Sequence, residues 1–208
     1  MKSTIKSILK SIVPKSILEQ RSKKQLEEWK KKGCPVPPPH IVKQVTIQEY
    51  QKQYGHTILV ETGTYLGDMV EAQKRHFNSI FSIELSPELF ERAKKKFARD
   101  KNVTILRGDS SKVLPEVMKT VRGSAIFWLD GHYSAGITAK GEKACPVFEE
   151  LDAIFSDNYQ EHIILIDDAR RFIGQGEYPT IEELTDYIKS KSKNYQVDVK
   201  HDIIRYTT

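Results

Sequence analysis

Glu61-Thr62-Gly63-Thr64-Tyr65-Leu66-Gly67-Asp68 joins an apolar run at 57–60 to a stretch of helical periodicity at 68–77. The two glycines let the backbone turn sharply, and they let a ligand approach the main chain without Cβ interference. A strand that runs through such a loop into a helix is the opening of a βα unit. The spacing is Glu-x-Gly-x-x-x-Gly. It is not the Gly-x-Gly-x-x-Gly of dinucleotide enzymes, and no Gly-Lys-Ser/Thr follows as in a phosphate-binding P-loop.

Outward from this loop the pattern is regular. Apolar runs at 57–60, 79–83, 103–106, 125–129 and 163–166 read as buried parallel strands. Helical stretches at 68–77, 87–97, 111–119 and 146–155 separate them, and a further helix is expected at about 180–190 with Pro179 near its start. Two short runs, 196–199 and 203–206, flank a polar turn and read as a terminal hairpin. Strict alternation predicts an α/β fold, doubly wound and mostly parallel, with a C-terminal antiparallel hairpin and an N-terminal helical extension. Ligands are then expected at the carboxyl ends of the strands.

Residues of the right chemistry stand at those ends. Glu84 closes the second strand, 17 residues past Gly67, where a carboxylate can accept both hydroxyls of a ribose. Gly108-Asp109-Ser110 follows the third strand. Together these features resemble class I, Rossmann-like S-adenosylmethionine-dependent methyltransferases, whose loop usually reads (Asp/Glu)-x-Gly-x-Gly-x-Gly. Thr64 and Tyr65 stand where that form has x-Gly. The resemblance covers about residues 55–206. It implies that Glu61, Gly63, Thr64, Tyr65, Gly67, Glu84, Leu85, Asp109, Ser110 and Asp130 bind S-adenosylmethionine.

The fourth strand ends in Leu129-Asp130-Gly131-His132-Tyr133 and the fifth in Ile166-Asp167-Asp168-Ala169-Arg170-Arg171. In a sheet of this order the two ends are neighbours, and three converging carboxylates repel one another unless a positive charge sits among them. Oxygen-only ligation suits Mg²⁺ or Ca²⁺. The pattern is similar to metal-dependent O-methyltransferases of sugars and catechol-type compounds. That resemblance implies a divalent cation on Asp130, Asp167 and Asp168, with Asp130 at the reacting centre. The suspected base of the sugar enzymes falls on His132, which either takes the hydroxyl proton or hydrogen-bonds a loop carbonyl. The polar loop 131–146 has the character of a substrate lid. Tyr133, Lys140, Arg170 and Arg171 are candidates for contacting a phosphate or carboxylate on the substrate, with Lys143 beside them. The loop also resembles that of small methyltransferase-like proteins associated with surface-glycan genes, which implies a hydroxylated, glycan-related acceptor.

Net charge narrows the partners. The whole chain carries +5, but residues 1–32 hold ten of the 33 Lys and Arg against three of the 28 acids. The remainder is slightly acidic, which argues against a broad nucleic-acid face. Three segments follow: a basic amphipathic helical extension (1–32), an extended proline-rich linker (33–40) and the catalytic domain (41–208). The extension either rests on anionic lipid or packs on the domain or a second subunit. The expected place is the cytoplasm, with peripheral contact at the inner membrane face. Cys34 and Cys145 match no zinc or redox spacing and suit a reducing compartment. Competing readings are a non-catalytic S-adenosylmethionine-binding protein and a nucleic-acid methyltransferase. The second lacks both the Asn/Asp-Pro-Pro-Tyr and the Pro-Cys motifs.

Overall fold

A computed structural model describes residues 15–131, 143, 145–156 and 161–208. Seven strands form one sheet: β1 (Ile58–Thr62), β2 (Ser79–Glu84), β3 (Val103–Arg107), β4 (Ile126–Leu129), β5 (Ile163–Ile166), β6 (Gln196–Lys200) and β7 (Ile203–Thr207). Their order is β3-β2-β1-β4-β5-β7-β6. The first five are parallel; β7 lies antiparallel to β5, and β6 antiparallel to β7. The order reverses at β1, so the switch point opens between the ends of β1 and β4. The terminal hairpin is as expected from the sequence.

Helices cover both faces because every central strand is apolar on both. Leu59, Ile126, Trp128, Ile163 and Leu165 bury one face against Ile47 of α2 (His40–Tyr54), Met69 and Val70 of α3 (Asp68–Gln73) and Ala93 of α4 (Pro87–Lys96). Val60, Phe127, Leu129, Ile164 and Ile166 bury the other. They meet Leu114 of α5 (Ser110–Met118), Leu151 of α6 (Val147–Ile154) and Leu184 of α7 (Ile181–Lys191). Side chains alternate along a strand, so adjacent residues serve opposite cores. Local signals set the helix starts. Ser86 accepts from Leu89 N–H ahead of Pro87, and Thr180 and Glu183 form a reciprocal capping box.

Two features ahead of β1 differ from the sequence reading. Helix α2 was not expected, yet it supplies buried Val42, Thr46 and Ile47. The segment 33–40 was expected as an extended spacer; His40 already opens α2, and residues 33–39 fold back as a tight connection between α1 (Lys15–Lys31) and α2. The indole N–H of Trp29 donates to the Pro35 carbonyl at 2.8 Å, Cys34 N–H returns to the Trp29 carbonyl at 3.1 Å, and Pro38 is buried. A buried indole has to find an acceptor, and the proline turn provides one. Trp29 is itself buried, edge-on to His201 in the terminal hairpin at 4.8 Å. Cys34 and Cys145 are both free thiols. No described helix is long and apolar enough to cross a membrane.

Candidate active site

The glycine loop leaves β1 and is braced by β2, whose Ile83 carbonyl accepts from Gly63 N–H at 2.9 Å. Glu61 pairs with Ser82 in the parallel register, and the Ser82 hydroxyl donates to its carboxylate. Ser82 also meets the Thr64 hydroxyl at 2.6 Å. Glu61 is buried, and loss of solvent pushes its carboxyl up to about 8. Held by Ser82, it braces the loop from beneath. Gly63, at φ +89°, passes so close to β4 that a Cβ would stand 2.5 Å from the Asp130 carbonyl oxygen. Gly67, at φ +69°, would place one 2.6 Å from the Phe97 ring. Neither position admits a side chain, which is the physical content of the motif. Lys96, which the sequence reading did not single out, donates to the Leu66 and Gly67 carbonyls at 3.0 Å each and ties α4 to the loop.

Glu84 sits where the loop turns over the end of β2. Its carboxylate accepts from Tyr65 N–H at 2.7 Å and Ser86 N–H at 2.9 Å. A carboxylate has about four lone-pair sites, so these amides fix its orientation and leave capacity for a diol. Burial raises its pKa, only partly opposed by the backbone amides. Tyr65 is exposed at the tip of the loop with φ 49°, and Leu85 is half-buried beside Glu84. At the end of β3, Asp109 caps α5, its Oδ1 accepting from Ser111 N–H at 3.0 Å and Ser111 Oγ at 2.7 Å. Buried Ser110 and Gly131 converge on Glu150, which had not been foreseen. A Cβ on Gly131 would lie 3.1 Å from Glu150 Oε1 and 3.3 Å from Ser110 Oγ. Burial pushes Glu150 up to about 7, with hydrogen bonds from Ser110 and Thr62 opposing it. A glycine-built cradle, a pre-oriented acid and a capped third strand end fit S-adenosylmethionine.

The acids of β4 and β5 do come together. Asp130 N–H bonds the Thr62 carbonyl, and Asp167 N–H the Leu129 carbonyl, each at the sheet's end. Withdrawal from water, then the Asp167 charge, holds the Asp130 carboxyl well above the usual range. The positive charge among them is a lysine. Lys43 of α2 donates to Asp167 Oδ2 across 124 residues of sequence, with the Asp167 side chain fully buried. Asp168, in a left-handed conformation at φ 56°, is turned to Arg170, whose Nη1 lies 2.9 Å from its Oδ1. Arg170 also pairs with Asp202, so that guanidinium is engaged in structure. Among the described residues no three His, Cys, Asp or Glu side chains are arranged to hold a metal. With Asp167 held by Lys43 and Asp168 by Arg170, these acids do not fit a bound divalent ion.

Arg171 stacks its guanidinium over Tyr178 at 4.5 Å from the ring centroid. Lys143 is paired with Glu149 at the surface. His132, Tyr133 and Lys140 lie outside the described residues. Cys145 is buried, its thiol pushed up to about 12 by desolvation, which makes it a poor nucleophile.

No protein-family model matches the chain, and no curated protein is similar to it in sequence. Solved structures share the fold. The O-methyltransferase TomG of Streptomyces achromogenes, involved in tomaymycin synthesis and solved with SAM, is 11% identical with a TM-score of 0.60. The match covers 90% of this chain and 89% of that one. An O-methyltransferase of Bacillus cereus in complex with SAH is 11% identical with a TM-score of 0.59, over 99% and 97% of the two chains. The 23S rRNA methyltransferase ErmE matches with a TM-score of 0.51 at 14% identity, over 79% and 66%. The fold is therefore that of the class I, Rossmann-like methyltransferases, and it serves more than one kind of acceptor.

Proposed function

We propose that this chain is an O-methyltransferase that moves a methyl group from S-adenosylmethionine to a hydroxyl of a small, sugar- or glycan-related substrate. The observation that carries this is the alignment of the cradle at β1, Glu84 at β2 and Gly108-Asp109-Ser110 at β3, beside the acids that end β4 and β5. When bound, the donor supplies a methyl group on a sulfonium. Its S–C bond breaks with the electron pair left on sulfur, while the acceptor oxygen gains the methyl and loses its proton. Glu84 orients the ribose, and Asp109 and Ser110 hold the adenine edge. Asp130 carries its backbone into contact with Gly63 and marks the border between donor and acceptor. His132 takes the hydroxyl proton in this reading, and Tyr133, Lys140 and Arg171 receive an anionic group on the acceptor. The divalent cation implied by resemblance is given no step in it, because two of the three acids that would hold it are already paired, Asp167 with Lys43 and Asp168 with Arg170.

Residues 41–208 act as the catalytic unit, and the basic segment 1–32 brings it to an anionic membrane surface from the cytoplasmic side. Incubation with methyl-tritiated donor and a panel of methyl glycosides, phenols and extracted cell glycans tests the reaction. Label is expected on a hydroxyl of the glycan-type acceptors. Donor binding with no transfer to any of them, or transfer to RNA alone, would displace this reading.

A further inference from the structure

The pairing of Lys43 with Asp167 reaches beyond charge balance. Asp167 is fully buried at the strand end, and its Oδ1 has no hydrogen-bond donor among the described residues. A carboxylate there without a counter-charge is costly, so it must either take up a proton or hold a cation close by, and burial does push the Asp167 carboxyl up against the pull of Lys43. Helix α2 places one: Val42, Thr46 and Ile47 anchor it to the body, and Lys43 stands among them with its side chain only 15% exposed. Gln44, the next residue, accepts at its carbonyl from Gln73 Nε2 at 2.9 Å, which fixes α2 against α3 behind the glycine loop. The lysine is thus delivered by a packed helix and not by a swinging surface chain. The charges of Asp130 and Asp168 also act on it. An ammonium is a compact point charge with three donors, of which the Asp167 bond uses one. A divalent ion brought to the same acids would meet that charge at close range.

We propose that Lys43 is the resident cation of the acceptor site, standing in the place of a divalent ion and making this a metal-independent variant of the fold. The inference rests on the methyltransferase reading only in calling this side of the cleft the acceptor site. Helix α2 is then part of the active site, although it lies ahead of the first strand. Arginine at 43 keeps the charge and should keep ions out. A neutral side chain of similar length should leave Asp167 open to an ion.

Mn²⁺ titration of the full chain, followed by electron paramagnetic resonance near neutral pH, tests this. Wild type and Lys43→Arg are expected to bind no Mn²⁺ at these acids. Lys43→Met is expected to bind one ion per chain, and the double variant Lys43→Met/Asp167→Asn to lose it. Parallel titration with S-adenosylhomocysteine reports on the donor site and confirms folding of each variant. If wild type takes up one Mn²⁺ and Asp167→Asn abolishes it, the proposal is overturned, whether or not Lys43→Met folds. A folded Lys43→Met that takes up no Mn²⁺ overturns it as well. Failure of S-adenosylhomocysteine to bind wild type would count against the donor reading and leave the Mn²⁺ result to decide this one.

Discussion

Replacing Glu61 by Gln tests whether a buried, proton-hungry acid braces the glycine loop. The folded carboxyl titrates near about 8, against about 4.5 when exposed. Between those values the folded chain holds a proton that the unfolded chain has released, so stability falls as pH rises through the window. At about 1.4 kcal/mol per unit, Glu61 alone should cost the wild type roughly 1.4 kcal/mol at about pH 5.5 and roughly 4 at about pH 8. The loss across that range is therefore on the order of 3 kcal/mol. Glutamine keeps an acceptor for the Ser82 hydroxyl and has no proton to lose. Glu150, which titrates near about 7, Glu84 and Asp130 slope the same way in both proteins, so subtraction isolates Glu61. Urea unfolding of both proteins at the two pH values measures this. Wild type should lose about 3 kcal/mol more than Glu61→Gln. Curves that stay parallel to within about 1 kcal/mol would refute the buried-acid reasoning.

Two further outcomes concern the segment ahead of the sheet. Trp29→Ala removes a buried side chain and strands the Pro35 carbonyl, so it should cost about 3–5 kcal/mol in urea unfolding; a cost under about 1 kcal/mol would mean that α1 is not docked. The full chain should co-sediment with anionic vesicles more than a chain lacking residues 1–14, and salt should erase the difference. Truncation at 14 rather than 32 is the cleaner comparison, since it spares Trp29. Equal recovery of both chains would assign the basic segment to packing or self-association.

The sheet and most of its helices were legible because apolar runs and glycine or proline punctuation repeat in step with the βα unit. Helix α2 was not, for a physical reason. Its sequence, His-Ile-Val-Lys-Gln-Val-Thr-Ile-Gln-Glu-Tyr-Gln-Lys-Gln-Tyr, is largely polar, buries only three residues and follows a proline run that reads as linker. Lys43 was hidden with it, because an ion pair spanning 124 residues leaves no trace in local pattern. The need for positive charge among Asp130, Asp167 and Asp168 could be read from the sequence; its source could not. Glu150 was likewise unreadable, since only the fold brings it against Ser110 and Gly131. Glu61 was placed in the right loop, and its bond from Ser82, a residue of the neighbouring strand, could not be read from local pattern. Arg170 was expected to face substrate, and the hairpin residue Asp202 engages it.

Binding of the demethylated donor is the most direct test of the functional reading. Calorimetric titration with S-adenosylhomocysteine should show one site per chain. Glu84→Ala should weaken it by about 1–3 kcal/mol, the cost of removing a charged hydrogen-bond partner. No binding to the wild type at millimolar ligand, or an affinity that Glu84→Ala leaves unchanged, would contradict the assignment of this cleft to the methyl donor.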